Sequence, residues 1–347
     1  LGEADITFPK LIRLLEESGD ISGIDGVAYL DGGEMVIRPN ESYPHELDEI
    51  PMPAFGHWPA THRTIYREGV GATIEISRGC PFSCTFCVLP SFNKTYREKS
   101  KARVLEELKA LKAMDVHEIF LADASVGIDP ERTQGLFKEI AADDYSFEFI
   151  GFMRAGTVCS HPALIELMAE AGLKIAIVGF ESYTEEGLSR IEKATSLETN
   201  REAARILRSK GIFVMGSHIY GLPKESYREA LLTYRHGTKG CDQYMAGLFT
   251  PLPGSPLFNS LDDQNLLVSD EPDRINFSEY LVKGGPNPRL FRILSALLYL
   301  QYYLSPRRWG RALFGSPTMR MTLRSEYRLL FWRTIYSVLR RLGVKIL

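Results

Sequence analysis

Strand and helix patterns alternate six times between Ala72 and Thr250, and this alternation restricts the fold more than any other feature of the chain. Each strand pattern is a short apolar run, followed by a helical pattern before the next run. Parallel strands need a crossover that a helix can supply, so six such units predict a parallel sheet in an α/β fold. Six units are fewer than the eight of a closed barrel, which favours an open, partial (β/α)6 parallel barrel. The predicted strands are Thr73–Ser77, Ile119–Ala122, Phe147–Met153, Ile175–Phe180, Ile212–Ile219 and Tyr244–Phe249.

Polar or turn-forming residues follow all six predicted strands. In parallel α/β folds, ligands bind at the carboxyl ends of the strands, so these residues are expected to meet at one rim. One such residue is common in any loop, whereas a group after every strand indicates a site. In chain order they are Cys80, Asp123, Ser125, Arg154, Glu181, Gly221, Pro223 and the run Thr250–Gly254.

Three cysteines, Cys80, Cys84 and Cys87, lie in the run that follows the first predicted strand. Thiolates this close together suit iron–sulfur clusters or zinc, and closed sites of either kind normally take four protein ligands. Three cysteines therefore leave one metal coordination position free for a small molecule. Two alternatives stay open, namely a zinc site completed by His57 or Cys159, and three unliganded thiols. Disulfides are not expected, because five cysteines with three of them crowded fit a reducing compartment.

Three residues separate Cys80 from Cys84, two separate Cys84 from Cys87, and Phe86 directly precedes the last cysteine. This spacing resembles the signature of the radical S-adenosylmethionine (radical SAM) superfamily. The resemblance implies a partial barrel in which Cys80, Cys84 and Cys87 hold a 4Fe–4S cluster and Phe86 packs near the adenine. In that family the amino and carboxylate groups of S-adenosylmethionine chelate the open iron. An electron then splits the sulfonium and gives a 5′-deoxyadenosyl radical that abstracts hydrogen from a substrate.

The resemblance also implies roles for the charged and hydroxyl residues of the rim. Asp123 and Ser125 would face the amino group of S-adenosylmethionine, Arg154 its carboxylate and Glu181 the ribose. These residue types suit the ligand, since a zwitterion needs both an acceptor and a cation. An ordinary helix cap or rim ion pair is the alternative for each of them.

The fifth predicted strand and its turn supply four further candidates. Gly221 and Pro223 resemble the turn by which the family backbone approaches adenine, an approach that glycine permits because it has no side chain. His218 and Tyr220 alternate on one face of the strand and are expected to point inward, which makes them the candidate catalytic residues. The alternative for both is a satisfied core or rim residue.

Several short runs resemble the subgroup that carries an N-terminal cobalamin-binding domain, which includes anaerobic magnesium-protoporphyrin monomethyl ester cyclases and C-methyltransferases. The D-x-H-x-x-G motif by which many such domains ligate cobalt is absent from the sequence. We therefore expect that this chain is a piece of a longer protein and that the piece lacks most of the cobalamin domain. Cobalamin binding is accordingly a hypothesis. The runs are Arg154–Gly156, Gly179–Ser182, Gly221–Glu225, Thr250–Gly254 and Leu47–Pro53.

Composition divides the chain into three segments. Residues 1–70 contain a helical run at Phe8–Glu17, a hairpin pattern and then five prolines, which indicate a linker. Residues 71–260 hold the barrel core. Residues 261–347 form a basic extension that is expected to be mostly helical: from Gly285 onward there are twelve basic residues and one acid, whereas residues 1–284 carry 29 basic and 43 acidic residues.

The basic extension has several interpretations. The run Leu290–Leu304 is too short, and interrupted by Arg292, to predict a membrane span. Its amphipathic pattern fits a surface that lies on anionic lipid, or a helical cap on the barrel. Nucleic-acid binding is not expected, since the body is acidic and no recognition motif accompanies the charge. The N-terminus shows no secretory signal pattern, so we expect a cytoplasmic protein with peripheral membrane contact as an open question.

These patterns together predict an oxygen-sensitive radical SAM enzyme that acts on a small apolar metabolite, by cobalamin-dependent C-methylation or oxidative cyclisation. An electron donor such as flavodoxin or ferredoxin is the expected partner. The alternatives are methylthiolation or another group transfer without cobalamin, a non-catalytic iron–sulfur electron carrier and a zinc-stabilised binding module. Substrate identity depends on side chains that no motif fixes.

Overall fold

A helix and a β-hairpin form the N-terminal part of the protein. The structure is a computed structural model that describes residues 1–17, 19–57, 71–143, 145–269, 271, 274–275, 280–283 and 287–314. The predicted N-terminal helix and hairpin are confirmed, and two 3-10 turns follow in the proline-rich run. The elements are α1 (Thr7–Glu17), the antiparallel strands β1 (Ala28–Asp31) and β2 (Glu34–Ile37), and the turns Leu47–Glu49 and Phe55–His57.

Six parallel strands form the main sheet, and two short antiparallel strands pair beside it. In chain order the strands are β3 (Ala72–Ile74), β4 (Ser77–Arg78), β5 (Arg97–Glu98), β6 (Glu118–Leu121), β7 (Glu148–Met153), β8 (Leu173–Glu181), β9 (Phe213–Tyr220) and β10 (Gln243–Leu248). The order in the main sheet is β10-β9-β8-β7-β6-β3, and β4 pairs with β5. Sequential neighbours joined by helical crossovers confirm the partial (β/α)6 barrel.

The first strand of the main sheet is shorter than the sequence predicts. β3 ends at Ile74, and Ser77 leaves the sheet to pair with Glu98. The cause is Asp123, whose carboxylate accepts hydrogen bonds from the backbone N–H groups of Ile76 and Ser77. Because these donors are bound to a carboxylate, they cannot join the parallel ladder. The chain therefore turns away from the sheet and toward the cysteines.

Helices cover the outer face of the sheet. Strand residues such as Leu121 pack with helix residues such as Leu108 in the principal buried core. Several helices begin at a capping side chain that accepts a free backbone N–H, among them Ser100, Asp129 and Ser226. The helices are α2 (Leu89–Phe92), α3 (Lys101–Lys112), α4 (Pro130–Ala142), α5 (Ala155–Ser160), α6 (Pro162–Glu170), α7 (Glu185–Arg190), α8 (Leu197–Ser209), α9 (Tyr227–Gly240) and α10 (Pro256–Asp263).

The other face of the sheet lines the interior of the partial barrel. Ile175 and Phe213 form a small buried cluster there, and Met215 packs against it. Because side chains alternate along a strand, Ser217 and Ile219 lie on the same face of β9 as Met215. The interior at the carboxyl end of β9 is therefore lined by these residues.

Two further helices follow, α11 (Pro288–Leu304) and α12 (Pro306–Phe314), so the described part of the C-terminal extension is mostly helical, as predicted, with one isolated β-bridge between Leu267 and Val282 before them. Phe291 and Tyr302 of α11 belong to the principal core, and the Tyr302 hydroxyl accepts a hydrogen bond from Tyr244 N at 2.7 Å. Within the described ranges, no helix is both long enough and apolar enough to cross a bilayer. The amphipathic stretches predicted after residue 314 lie outside the described residues, and the division at residues 70 and 260 stays a prediction.

Candidate functional site

A single loop after β4 carries the three cysteines of the motif. It begins at Gly79, whose φ of +91° is in the left-handed region and whose missing Cβ leaves room for the Thr95 carbonyl oxygen. Cys84 is buried, whereas Cys80 and Cys87 are partly exposed. Cys87 N donates a hydrogen bond to Cys84 O at 3.0 Å, which closes a tight turn between two of the three thiols. The loop lies at the carboxyl end of the sheet, as predicted.

Two donors contact the sulfur atoms of this loop. Leu89 N lies 3.4 Å from Cys87 Sγ, and Arg154 Nη1 lies 3.5 Å from Cys84 Sγ. The Arg154 guanidinium also stacks on Phe82, with 3.6 Å between Cζ and the ring centroid. Burial raises the pKa of the Cys87 thiol; the Leu89 N–H opposes this, and the neighbouring cysteines add to it. A cation and a backbone donor beside sulfur are the groups that tune a metal-bound thiolate.

The zinc alternative finds no support in this geometry. Among the residues that the structure describes, no three His, Cys, Asp or Glu side chains are arranged around a position for a single metal ion. Cys159, the suggested fourth ligand, lies on α5 and its Sγ contacts the Thr199 carbonyl at 3.4 Å. The His57 side chain is outside the described part of the chain. Three soft thiol donors in one loop fit an iron–sulfur cluster.

Asp123 holds the cysteine loop in place, which corrects the role predicted for it. It is 1% exposed, and its carboxylate accepts hydrogen bonds from Ile76 N, Ser77 N and Ser77 Oγ. Both oxygens therefore accept hydrogen bonds from the protein, and the carboxylate is almost fully enclosed by it. Burial raises the pKa of Asp123 to about 6, although the hydrogen bonds from Ser77 and Ile76 oppose that shift. Ser125 is equally buried, and its Oγ has no hydrogen-bond partner among the described residues; its contact with the amino group of a ligand stays a prediction.

Glu181 lies at the end of β8 and forms a buried ion pair with Lys193, at 2.6 Å between Oε1 and Nζ. Its φ of +60° is in the left-handed region, and the β8–β9 register shifts between Gly179 and Glu181. Strain of this kind persists where the surrounding structure fixes it, often at functional sites. A Cβ at Gly179 would lie 2.5 Å from Glu181 Oε1 and 2.7 Å from Lys193 Nζ, so glycine makes room for the pair. Lys193 is not predicted from the sequence, since no local pattern marks it.

The turn after β9 is held by Glu225. Gly221 has a φ of +77° and its N–H donates to the Glu225 carboxylate, as does Leu222 N at 3.3 Å. Burial raises the pKa of Glu225 to about 7. A Cβ at Gly221 would lie 2.7 Å from the Tyr280 ring, so the turn also packs closely on its outer side. Pro223 is half-buried in the same turn.

His218 and Tyr220 point away from the barrel interior, which corrects their predicted orientation. His218 Nδ1 lies 3.1 Å from the Met245 carbonyl oxygen, and its ring packs between Tyr183 and Tyr244, at centroid distances of 5.7 and 4.4 Å. The Tyr220 hydroxyl hydrogen-bonds that of Tyr244. Burial lowers the pKa of His218 to about 4, so the ring is neutral at physiological pH. Both side chains belong to the helix-side core, the alternative that the sequence left open.

A cleft of about 370 Å³ adjoins the cysteine loop. Phe86 and Cys87 line it from the loop, Glu181 from β8 and Ile219 from the inner face of β9. Thr250, in the run after β10, lines its far side. One wall of the cleft thus carries Cys87 and the Phe86 ring, and another carries the Glu181 carboxylate. These residues meet at the rim that the sequence predicts.

The N-terminal segment is fastened to the flank of this loop by a buried carboxylate. Glu3 is 5% exposed and pairs with Arg78, at 2.8 Å, and with Arg97; Asn93 Nδ2 donates to it at 3.0 Å. Burial raises the pKa of Glu3, but the hydrogen bonds from Arg97, Arg78 and Asn93 outweigh it and leave the pKa below its usual value. Arg78 directly precedes Gly79, so the contact reaches the start of the cysteine loop.

Comparisons with known proteins agree with this geometry. The family model for the radical SAM superfamily matches residues 74–236, which include the three cysteines. An uncharacterized methyltransferase of Pyrococcus horikoshii is 26% identical over 317 residues, covering 88% of this chain and 67% of that protein. The anaerobic magnesium-protoporphyrin IX monomethyl ester cyclase of Rubrivivax gelatinosus is 27% identical over 319 residues, covering 87% of this chain and 57% of that protein.

A solved structure shares the fold. The cobalamin-dependent S-adenosylmethionine radical enzyme OxsB, with aqua-cobalamin and S-adenosylmethionine bound, superposes with a TM-score of 0.72 at 17% identity, covering 94% of this chain and 54% of that chain. The chain therefore spans only part of the length of each of these proteins. The cysteine loop, the six-stranded partial barrel and these matches together show that residues 74–236 of the chain form a radical SAM domain.

Proposed function

We propose that this chain holds a 4Fe–4S cluster on Cys80, Cys84 and Cys87 and cleaves S-adenosylmethionine reductively. The observation that carries the proposal is the position of the thiols, on one loop at the carboxyl ends of parallel strands, beside Arg154 and a cleft lined by Phe86. When bound, the cluster supplies the electron that starts the radical chemistry. The protein binds, orients and shields the reactants.

The cleft suits the adenosine half of S-adenosylmethionine. Phe86 offers an aromatic surface for the adenine, and Glu181 offers a carboxylate that can accept hydrogen bonds from both ribose hydroxyls. Lys193 pairs with that carboxylate and fixes its direction. The turn after β9, with Gly221 and Pro223, would offer backbone groups to the adenine.

The methionine half would lie between the cysteine loop and the ends of β6 and β7. Arg154 supplies a cation for the carboxylate, and its stacking on Phe82 holds the guanidinium in place. Ser125 Oγ is a buried polar atom whose hydrogen-bonding capacity the ligand's amino group can satisfy. Asp123 acts on this site only as a positioning residue, through Ser77.

The substrate that we propose is a small apolar metabolite, and the reaction is cobalamin-dependent C-methylation or oxidative cyclisation. The remaining side chains of the cleft are mostly apolar, which favours such a ligand and excludes water. The names of the relatives, a methyltransferase and a cyclase, support this range of reactions. Cobalamin would be held by a domain outside this chain, and a flavodoxin or ferredoxin would deliver electrons. The apolar residues are Val88, Leu89, Ile219, Leu248, Phe249 and Leu252.

Product analysis tests the proposal. Protein reconstituted anaerobically with iron and sulfide is incubated with S-adenosylmethionine and dithionite, and 5′-deoxyadenosine is measured. Wild-type protein and Cys159→Ser, which removes a thiol outside the loop, should give product, whereas Cys84→Ala should give none. A well-formed cluster that yields no product would contradict the proposal and favour an electron carrier. A colourless protein that binds zinc and no iron would favour the binding module.

The cobalamin part is tested separately in the full-length reading frame. We expect the longer protein to bind hydroxocobalamin and to transfer a deuterated methyl group from labelled S-adenosylmethionine. A stop codon directly upstream of Leu1 would remove this part and leave the cleavage of S-adenosylmethionine intact.

A further inference from the structure

The outer side of α11 carries a row of exposed aliphatic side chains. The row alternates in steps of three and four residues, so its members share one face of the helix. The opposite face holds Phe291, Leu298 and Tyr302, which are buried against the barrel. α11 is therefore apolar on two faces, one of which is exposed to solvent. The exposed row is Leu290, Ile293, Leu297, Leu300 and Leu304, each 55–62% exposed.

The next helix extends this surface. Trp309 and Leu313 of α12 are 46% and 48% exposed. Tryptophan is enriched where protein meets the interface of a bilayer, because its ring is both apolar and polar. α11 is about 25 Å long at the usual helical rise, so the row gives a long, narrow apolar surface that can lie along an interface.

The charge around this surface is positive. Residues 285–314 contain no Asp or Glu, and Arg289 is exposed next to Leu290 at the start of α11. A groove of about 820 Å³ between α9 and α11–α12 shares Leu304 with the row and adds the exposed side chains of Arg235 and Lys239. Its acidic residue, Asp242, accepts hydrogen bonds from Arg208 at 3.2 and 3.3 Å. Basic groups therefore flank the aliphatic row on the groove side.

We propose that the outer face of α11 and α12 docks on an anionic phospholipid bilayer. A second copy of this face would bring Arg289, Arg235 and Lys239 of one copy near those of the other, and like charges at such a contact repel. Residues 315–347 of the same chain are a poor partner for this face for the same reason, because they carry seven basic residues and one acid. An anionic lipid surface complements both features, since it attracts the exposed basic side chains and accepts the aliphatic row.

The docking face is connected to the candidate site by direct packing. Phe291 of α11 stacks on Tyr280, with ring centroids 5.9 Å apart, and the Tyr280 ring packs against Gly221 in the turn after β9. Phe291 also contacts Tyr220 edge to face at 6.4 Å. Docking would therefore hold the rim of the cleft near the membrane, from which an apolar metabolite could enter. The docking itself does not depend on the proposed reaction.

Vesicle flotation tests the inference with the full chain. We expect binding to vesicles of phosphatidylglycerol and phosphatidylcholine in equal parts, no binding to phosphatidylcholine alone, and release at high salt. Leu297→Asp and Leu300→Asp should each weaken binding at least ~10-fold, because each removes a leucine from the apolar surface. Leu30→Asp is the matched control, since Leu30 is 68% exposed on the distant β1 and should leave binding unchanged.

Charge reversal provides a second arm. Lys239→Glu should weaken binding several-fold, whereas Lys109→Glu, an equally exposed lysine on α3, should not. Thermal melts of all variants should match the wild type, because the substituted side chains are exposed. Absence of binding to the anionic vesicles would overturn the inference, as would equal binding of Leu297→Asp. So would a dimer in sedimentation velocity that Leu297→Asp dissociates, combined with no vesicle binding.

Discussion

Arg154 Nη1 lies 3.5 Å from Cys84 Sγ, and the same guanidinium stacks on the Phe82 ring. The stacking holds a permanent cation against the cysteine loop. A fixed positive charge stabilises negative charge nearby, both on the thiolates and on a ligand carboxylate. Arg154 therefore joins the end of β7 to the loop by electrostatics as well as by contact.

Arg154→Gln should make the reconstituted cluster harder to reduce. Loss of one nearby cation should shift the midpoint potential negative by on the order of 50 mV, and it should raise the KM for S-adenosylmethionine. Redox titration followed by electron paramagnetic resonance measures the first effect. Arg205→Gln, in which the replaced arginine is 69% exposed on α8, is the control. An unchanged potential together with an unchanged KM would argue against this role.

Asp123→Asn should change how stability depends on pH. The pKa of Asp123 is raised from 3.8 to about 6 in the folded protein. The stability that this protonated carboxyl adds to the folded protein is therefore fully present below pH 3.8 and is lost as the pH rises through 6. The loss is roughly 3 kcal/mol, which the asparagine variant does not undergo. Urea unfolding at pH 4 and at pH 7 measures the difference in free energy of unfolding between the wild type and the variant. The wild type should lose roughly 3 kcal/mol relative to the variant between these two pH values. A difference that is constant over this range would refute the assignment.

Gly179→Ala should disturb the Glu181–Lys193 pair without touching either charge. The added Cβ would lie 2.5 Å from Glu181 Oε1, so the carboxylate must move. We expect the KM for S-adenosylmethionine to rise at least ~10-fold, as lost charge-assisted hydrogen bonds would cost over 1 kcal/mol. Gly156→Ala, at a helical position with no atom within 4 Å of the added Cβ, should behave as wild type. Equal KM values for the two alanine variants would show that Glu181 does not hold the ribose.

Glu3→Gln should loosen the N-terminal segment from the cysteine loop. It leaves Arg78 and Arg97 without their buried carboxylate, so we expect a loss of about 3 kcal/mol in the free energy of unfolding at pH 7. The wild-type contribution is present above pH 4.5 and disappears as the pH falls through the lowered pKa, so the two proteins should converge in acid. Hydrogen exchange of residues 1–57 should rise in Glu3→Gln and stay unchanged in Glu16→Gln, an exposed position on α1.

The sheet could be predicted because its signals are local. Each strand from β6 to β10 is an apolar run beside a helical pattern, and the structure places it within a few residues of the prediction. β3 is the exception, since it ends early because of Asp123, which is 46 residues from Ser77 in sequence. A long-range contact of this kind leaves no mark on the local pattern of residues 72–77.

The candidate site divides in the same way. The cysteine loop and Phe86 belong to one short run, so their proximity is fixed by the sequence itself. Lys193 joins Glu181 only through the fold, and nothing in its neighbourhood marks it as a partner. The orientation predicted for His218 was wrong because both faces of β9 mix polar and apolar residues, with Ser217 and Ile219 on the inner face and His218 and Tyr220 on the other, so the local pattern does not mark the inward face.

The most direct test of the account is whether S-adenosylmethionine binds an iron of the cluster. Electron–nuclear double resonance on the reduced, reconstituted protein, with the ligand labelled with nitrogen-15 at its amino group, detects that bond. We predict a nitrogen hyperfine coupling in the wild type and in Cys159→Ser. A well-formed, reducible cluster without this coupling at saturating ligand would contradict the central claim that three cysteines leave one iron open for S-adenosylmethionine.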